Sequence, residues 1–222
     1  MIAVTCRGMC REPFLERIAA LASAGPELII LREKDLPDDE YEQLARRCAV
    51  ICGVHNVPFA VHSRADVARR AGVTRIHLTM DGLRRADVSG FRLVGASVHS
   101  VEEALEAQGL GAHYLMAGNV FETSCKPGAP ARGTGFLEEV CRAMDLPVYA
   151  IGGVTPDNYD ETVWAGAAGA ATMSLSMTVD PQELTASMRP PVGSWGVLSR
   201  RSASSQRCLR ASVRSSHLDL SR

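Results

Sequence analysis

The stretch from Pro147 to Ser174, PVYAIGGVTPDNYDETVWAGAAGAATMS, contains the pattern that decides the fold. An apolar run over Pro147–Gly152 is followed by a helical pattern over Pro156–Ala165 and by a second apolar run over Gly169–Ser174. Each run is as long as a typical strand and has little polar character, as strands buried on both faces of a parallel sheet do. The stretch therefore predicts a βαβ unit.

The same alternation extends outward over residues 1–188. Strand-like runs occur at Ile2–Cys6, Leu28–Arg32, Pro58–His62, Arg75–Leu78, Arg92–Val98, His113–Gly118, Pro147–Gly152 and Gly169–Ser174. Helical patterns occur at Glu12–Ser23, Pro37–Cys52, Val101–Gln108, Pro156–Ala165 and Asp180–Met188. Repeated strand–helix alternation predicts an α/β fold, a single-domain (β/α)8 TIM barrel. An open doubly wound sheet is the alternative, but the first strand lacks the G-x-G-x-x-G turn of a dinucleotide-binding fold.

Length and composition bound the class of protein. The chain has 222 residues, of which 46% are hydrophobic and 22% charged, as expected of a globular protein near the lower size limit for such a barrel. No run approaches the ~20 apolar residues of a membrane span, and no secretory signal is recognisable, so we expect a cytoplasmic protein. The seven cysteines are expected to be free thiols, and the C-x3-C pairs at Cys6/Cys10 and Cys48/Cys52 to be buried apolar residues rather than a metal site.

The charge distribution separates a tail from the barrel. The net charge is −1, which gives no reason to expect a nucleic-acid partner. From Arg189 onward, however, the chain carries seven arginines and one acid, so that the tail has a charge of +6. The tail also contains nine serines and no apolar periodicity. We therefore predict a barrel over residues 1–188 and a disordered Ser/Arg-rich tail over residues 189–222.

Two glycine-containing segments predict a phosphate site. In a barrel of this kind the functional residues follow the carboxyl ends of the strands. Gly152 and Gly153 form a turn from strand to helix, where backbone can approach an anion closely. Met173 and Ser174 close the eighth strand. Segments after the seventh and eighth strands form the usual phosphate site of such barrels.

Charged and polar residues follow two other strands. Arg32 and Lys34, two positions apart at the end of the second strand, should project toward the same side, where they suit an anionic ligand. The sixth strand continues into GNVFETSCKPG at 118–128, a long polar loop of the kind that forms active-site flaps.

At this point the chain resembles the thiamine-phosphate synthase/thiazole tautomerase superfamily over about residues 1–188. The resemblance is carried by LREKD at 31–35, GASVHS at 95–100, GNVFETSCKPG at 118–128, AIGGVTPDN at 150–158 and GAAGAATMS at 166–174. It implies the barrel fold and a thiazole phosphate ligand. The implied phosphate contacts are Gly153, Met173 and Ser174, and the implied ligand contacts are Arg32, Lys34, Ser97, Thr123 and Lys126.

The chain departs from the synthase branch of this superfamily, which joins a pyrimidine diphosphate to a thiazole phosphate with the help of Mg²⁺. Ile30 stands where the synthase pattern has a glutamine, and His62 and Ser63 stand where it has Asn-Asp. Asp81 lies one position from the place of a further aspartate. Loss of carboxylates removes the oxygen ligands that Mg²⁺ prefers.

The segment FETSCK at 121–126 is closer to the TenI-type thiazole tautomerase, which isomerises a thiazole carboxylate phosphate without a metal. Asn119, however, stands where that branch has its catalytic histidine. His62 and Cys125 are the replacement bases that we expect, and for His62 this predicts an activity limb near the ordinary histidine pKa of roughly 6.5.

The sequence thus predicts a TenI-like isomerase of thiamine biosynthesis, with catalytic candidates His62, Cys125 and Asn119 and no cofactor. The alternatives are a thiamine-phosphate synthase, which would need Mg²⁺, and a barrel that binds such phosphates without catalysis. The sequence leaves a homodimer open. The expected partner is a small molecule, with no membrane involved.

Overall fold

The fold is a closed barrel of eight parallel strands, described here from a computed structural model that covers residues 1–123, 128 and 130–189. Each strand pairs with its sequence neighbours, and β1 also pairs with β8, which closes the barrel. The strands are β1 Ile2–Val4, β2 Leu28–Leu31, β3 Phe59–His62, β4 Arg75–Thr79, β5 Leu93–Val98, β6 Tyr114–Gly118, β7 Val148–Ile151 and β8 Gly169–Thr172. The TIM-barrel prediction is confirmed, and a strand overlaps each of the eight predicted runs.

Helices follow the strands. They are α1 Phe14–Ala24, α2 Asp38–Val54, α3 Ala65–Arg70, α4 Met80–Arg85, α5 Val101–Gly109, α6 Gly133–Ala143, α7 Tyr159–Trp164, α8 Ser174–Thr178 and α9 Pro181–Ser187, with a short 3-10 helix at Arg7–Met9. The five predicted helices are present, and α3, α4, α6 and α8 are additional to them. None of the described helices is long and apolar enough to cross a membrane.

Side-chain hydrogen bonds determine where two of the helices begin. Ser100 caps α5 by accepting a hydrogen bond from the Glu103 backbone N–H, and the Glu103 carboxylate accepts from the backbone N–H of His99. The helix predicted to begin at Pro156 begins at Tyr159, because Asn158 holds the preceding turn by accepting from the Thr155 N–H.

The cysteine pairs lie in different surroundings. Cys48 and Cys52 are fully buried on α2, where burial raises the pKa of both thiols. Cys6 and Cys10 flank the short 3-10 helix and are partly exposed, so the prediction that this pair is buried is wrong. The predicted tail over residues 189–222 lies outside the described residues, apart from Arg189.

Strand register determines which side chains meet inside the barrel. His62 of β3 lies beside His77 of β4, and His77 lies beside Gly95 of β5. Gly95 in turn lies beside Tyr114 of β6. Side chains of a strand alternate between its two faces, so Ser97, two residues beyond Gly95, faces the same side closer to the carboxyl end.

Candidate active site

The carboxyl ends of the strands surround a cavity of about 550 Å³, which we call the mouth. Its wall is formed by ends of strands and by the loops that follow them, as in other barrels of this class. Among the predicted site residues, the following line it: Arg32, Lys34, His62, Ser97, Asn119, Thr123, Gly152, Gly153, Met173 and Ser174. Cys125 and Lys126 lie outside the described residues.

One side of the mouth carries positive charge. The Arg32 guanidinium reaches across to β8 and lies 3.5 Å from the Met173 sulfur. The adjacent carboxylate, Glu33, does not pair with Arg32 or Lys34, because it accepts hydrogen bonds from the Thr5 hydroxyl and the Arg7 backbone N–H. Arg32 and Lys34 therefore enter the mouth without that carboxylate to offset their charge, which favours an anionic ligand.

His62, at the end of β3, lines the mouth as a neutral side chain. Burial, together with the smaller effect of the positive charges of Arg32 and Lys34, lowers its pKa to about 4. A neutral imidazole can accept a proton from a ligand, although a low pKa makes it a weaker base. The ordinary pKa that the sequence led us to expect does not hold in this position.

The Gly152–Gly153 turn packs against the loop after β6. Both glycines have positive φ, +95° and +66°. A Cβ on Gly152 would lie 2.4 Å from Asn119 Cβ, and one on Gly153 would lie 2.3 Å from the Glu122 carbonyl oxygen. A side chain at Gly153 would therefore collide with the backbone of the neighbouring loop.

The segment after β8 accepts hydrogen bonds from a buried arginine, Arg17. No side chain caps the start of α8, so the first backbone N–H groups of α8 lack both intrahelical and capping partners. At its other end the Arg17 guanidinium donates hydrogen bonds to the carbonyl oxygens of Leu175, Ser176 and Val179. Arg17 is 5% exposed, so these contacts are shielded from water.

A hydrogen-bonded set of side chains lies at the base of the mouth. His77 Nε2 lies 2.9 Å from the Ser97 hydroxyl oxygen, and His77 Nδ1 lies 3.0 Å from the Tyr114 hydroxyl oxygen. His77 is buried, and burial lowers its pKa far below the ordinary value. The pKa of Tyr114 is raised by burial, so this phenol stays protonated.

Asn119 begins the loop after β6 and is 7% exposed. Its side-chain amide N–H donates to the carbonyl oxygens of Phe121 and Pro130. Its backbone carbonyl oxygen accepts from the backbone N–H of Arg132. A carboxamide does not ionise or act as a base near neutral pH, so Asn119 can orient a ligand or shape the loop but cannot replace a histidine base.

The residues at the ends of β3 and β4 do not fit a Mg²⁺ site. His62 and Ser63 supply an imidazole and a hydroxyl rather than carboxylates. Asp81 is 74% exposed and forms ion pairs with Arg84 and Arg85 on its own helix. Within the described ranges no group of three or more His, Cys, Asp or Glu side chains is arranged to hold a metal ion. Mg²⁺ prefers carboxylate oxygens, which this donor set does not provide.

Sequence reasoning missed several residues that shape the mouth. Arg17 lies within an apolar helical pattern, and nothing in the sequence distinguishes it from a solvated arginine. Tyr114 lies in an apolar run of the sequence, and the run does not indicate that Gly95 on the neighbouring strand makes room for its side chain. Asn158 donates to the Gly153 carbonyl oxygen and accepts from the Thr155 N–H. This role could have been predicted, because an asparagine that follows a glycine turn often hydrogen-bonds the backbone of the turn.

The fold and this mouth define a (β/α)8 barrel whose polar groups converge at the carboxyl ends of its strands. The family model described as "Thiamine monophosphate synthase" matches residues 1–175, and the chain belongs to that family.

Individual relatives agree with the family. The chain is 32% identical over 176 residues to "Thiamine-phosphate synthase 2" of Streptococcus pneumoniae, covering 78% of this chain and 84% of the relative. It is 36% identical over 177 residues to the "Thiamine-phosphate synthase" of Coprothermobacter proteolyticus, covering 77% and 82%. The solved "Thiamine phosphate pyrophosphorylase" from Pyrococcus furiosus superposes with a TM-score of 0.73 at 27% identity, covering 90% of this chain and 95% of that one. The predicted superfamily is confirmed, whereas the tautomerase branch is not, because these relatives are named as synthases.

Proposed function

We propose that this protein is an enzyme of thiamine biosynthesis that binds a thiazole phosphate in the mouth of its barrel. The observation that carries the proposal is the convergence of two kinds of anion-binding group on one cavity. The Gly152–Gly153 turn and the Met173–Ser174 segment line the mouth together with Arg32 and Lys34, and the Arg32 guanidinium lies 3.5 Å from the Met173 sulfur. The glycine turn and the segment after β8 suit a phosphate, and the two cations add positive charge for the same anionic ligand.

Within this family we propose isomerisation of a thiazole carboxylate phosphate as the reaction. The reaction requires a proton to leave one carbon and another to be delivered elsewhere, without a metal. The donor set at the ends of β3 and β4, with His62 and Ser63 in place of carboxylates, favours such metal-free chemistry. His62 is the proton acceptor that we propose, because it is neutral and lines the mouth.

The coupling of a pyrimidine diphosphate with a thiazole phosphate is the second candidate. The names of the relatives support this reaction better than they support isomerisation. Overall similarity and site chemistry therefore favour different reactions. We place isomerisation first because side chains in the site, rather than the shared fold, decide which reaction a barrel performs.

The experiment supplies the purified protein with thiazole carboxylate phosphate, with and without pyrimidine diphosphate, Mg²⁺ and EDTA. We expect an aromatised thiazole product that forms in EDTA, and little or no thiamine phosphate. Formation of thiamine phosphate that EDTA abolishes would establish the synthase instead. Binding of the thiazole phosphate without any turnover would show that the barrel binds this ligand without catalysis. Absence of binding would refute the proposed ligand.

A further inference from the structure

Three side chains from adjacent strands form a continuous path from the barrel interior to the mouth. Tyr114 of β6, His77 of β4 and Ser97 of β5 are joined by contacts of 3.0 Å and 2.9 Å through the two ring nitrogens of His77. Ser97 and His77 line the mouth, whereas Tyr114 is fully buried beneath them. The path exists because Gly95, between β4 and β6, has no side chain. A Cβ there would lie 2.1 Å from Tyr114 Cζ.

The direction of the hydrogen bonds along this path can be deduced. His77 is uncharged, so one ring nitrogen carries hydrogen and the other accepts. The Tyr114 hydroxyl is buried and protonated, and within the described part of the chain His77 is its one hydrogen-bond partner. If His77 Nδ1 carried the hydrogen, the Tyr114 hydrogen would be buried without an acceptor, which is unfavourable. Tyr114 therefore donates to Nδ1, and Nε2 carries the hydrogen.

This assignment fixes what Ser97 can offer to a ligand. His77 Nε2–H donates to the Ser97 oxygen, so the hydroxyl hydrogen of Ser97 is directed elsewhere, toward the mouth. We propose that Tyr114 and His77 form a relay that presents Ser97 to the mouth as a hydrogen-bond donor, and that Ser97 binds an oxygen acceptor of the ligand. In this arrangement Tyr114 and His77 are positioning residues, and Ser97 is not activated as a nucleophile, because His77 does not accept its proton.

Consecutive hydrogen bonds polarise one another, so each donor in the path strengthens the next. Loss of the Tyr114 hydroxyl should therefore weaken ligand binding through Ser97, although Tyr114 itself does not touch the ligand. The contribution to ligand binding rests on the proposed function, whereas the proton arrangement is a property of the free protein.

The first test determines the protonated nitrogen of His77 in the free protein by ¹⁵N NMR of histidine-labelled samples. The His77 signals are assigned by their change in Ser97→Ala. We expect the hydrogen on Nε2 in the wild type. In Tyr114→Phe we expect it to be divided between the two nitrogens, because water in the vacated space can accept as well as donate. A wild-type hydrogen on Nδ1 would overturn the proposal, whatever ligand the protein binds.

The second test is a double-mutant cycle on the affinity for thiazole carboxylate phosphate. We expect Ser97→Ala to weaken binding about tenfold and Tyr114→Phe about threefold. In the Ser97→Ala background, Tyr114→Phe should have no further effect. The matched control is Tyr149→Phe, since that inward phenol donates to Glu27 and does not contact His77. Additive effects of Ser97→Ala and Tyr114→Phe would refute the relay, and failure of the wild type to bind would refute the proposed ligand without changing the NMR result.

Discussion

The guanidinium of Arg17 donates a hydrogen bond to the Ser176 carbonyl oxygen at 2.8 Å, across 159 positions of sequence. It also contacts the carbonyl oxygens of Leu175 and Val179 and pairs with Glu12. The first helix of the barrel thereby holds the segment that follows the last strand. Because Ser174 and Leu175 line the mouth, a contact made on the outer side of the barrel bears on the geometry of the candidate phosphate site.

Replacing Arg17 with methionine should lower both stability and ligand affinity. The substitution leaves buried carbonyl oxygens without donors, which we expect to cost about 3 kcal/mol of unfolding free energy. The phosphate ligand should bind at least several-fold more weakly, because the backbone around Ser174 is no longer held. Denaturant titration and calorimetric binding measure the two effects. Arg11→Met, at an exposed position, is the control, and equal stability of the two variants would contradict the assigned role of Arg17.

Replacing Gly95 with alanine should destabilise the barrel by about 3 kcal/mol, because the new methyl group would overlap the buried ring of Tyr114. Gly53→Ala is the control. Nothing lies within 4 Å of a Cβ there, so that variant should be neutral or more stable by up to about 1 kcal/mol. Thermal or denaturant unfolding measures both. A double variant with Tyr114→Ala should recover part of the loss at Gly95.

Replacing Gly153 with valine should abolish tight binding of a phosphate ligand. Positive φ and the closeness of the Glu122 carbonyl force the turn and the neighbouring loop apart. Gly90→Val is the control for backbone strain alone. Gly90 also has positive φ, +81°, but no atom lies within 4 Å of a Cβ placed there. Both variants should lose stability, and only Gly153→Val should lose at least tenfold in affinity. Unchanged affinity in a folded Gly153→Val protein would refute the phosphate-site assignment.

The stability contributed by His62 should decline in acid. Its folded pKa of about 4 lies below the ordinary value of about 6.5 that applies in the unfolded chain. The contribution is therefore fully present above pH 6.5 and is lost as pH falls toward 4, by up to about 3 kcal/mol. Unfolding of the wild type and of His62→Asn at several pH values isolates this change. His55→Asn, at an exposed position, should retain the wild-type slope.

If His62 is the base, the activity should stay level between about pH 8 and 5 and fall only near pH 4. Lys34→Met removes one of the positive charges that lower the His62 pKa, so it should move this limb to higher pH. A pH–rate profile of the isomerisation measures the limb. A limb near pH 6.5 that disappears in His62→Asn would show that the mouth does not lower this pKa.

The barrel could be predicted because each strand is an apolar run of the right length and the alternation repeats along the chain. The positions of Arg32 and Lys34 followed from the same periodicity, since strand ends and side-chain alternation are local properties, whereas Ser97 was implied only by the family resemblance. The shifted pKa of His62 could not be predicted in this way, because it depends on burial and on Arg32 and Lys34 of a different strand.

Tyr114 and Arg17 illustrate a second reason why part of the site could not be predicted from the sequence. The contact of Tyr114 with His77 spans 37 positions and requires the register of three strands together with a glycine between them. The contact of Arg17 with Ser176 requires closure of the barrel. Such contacts have no local sequence signature, since they arise only when the whole chain has folded.

The contact between Gly152 and Asn119 makes two loops into one mechanical unit. The backbone N–H groups of Val120 and Phe121 donate to the carbonyl oxygens of Ile151 and Gly152, which continues the ladder of β6 and β7 beyond the strands. The two loops also pack closely, since a Cβ on Gly152 would lie 2.4 Å from Asn119 Cβ. A ligand that shifts the turn after β7 should therefore displace the start of the loop after β6 as well, because the shared backbone hydrogen bonds join the two walls of the mouth.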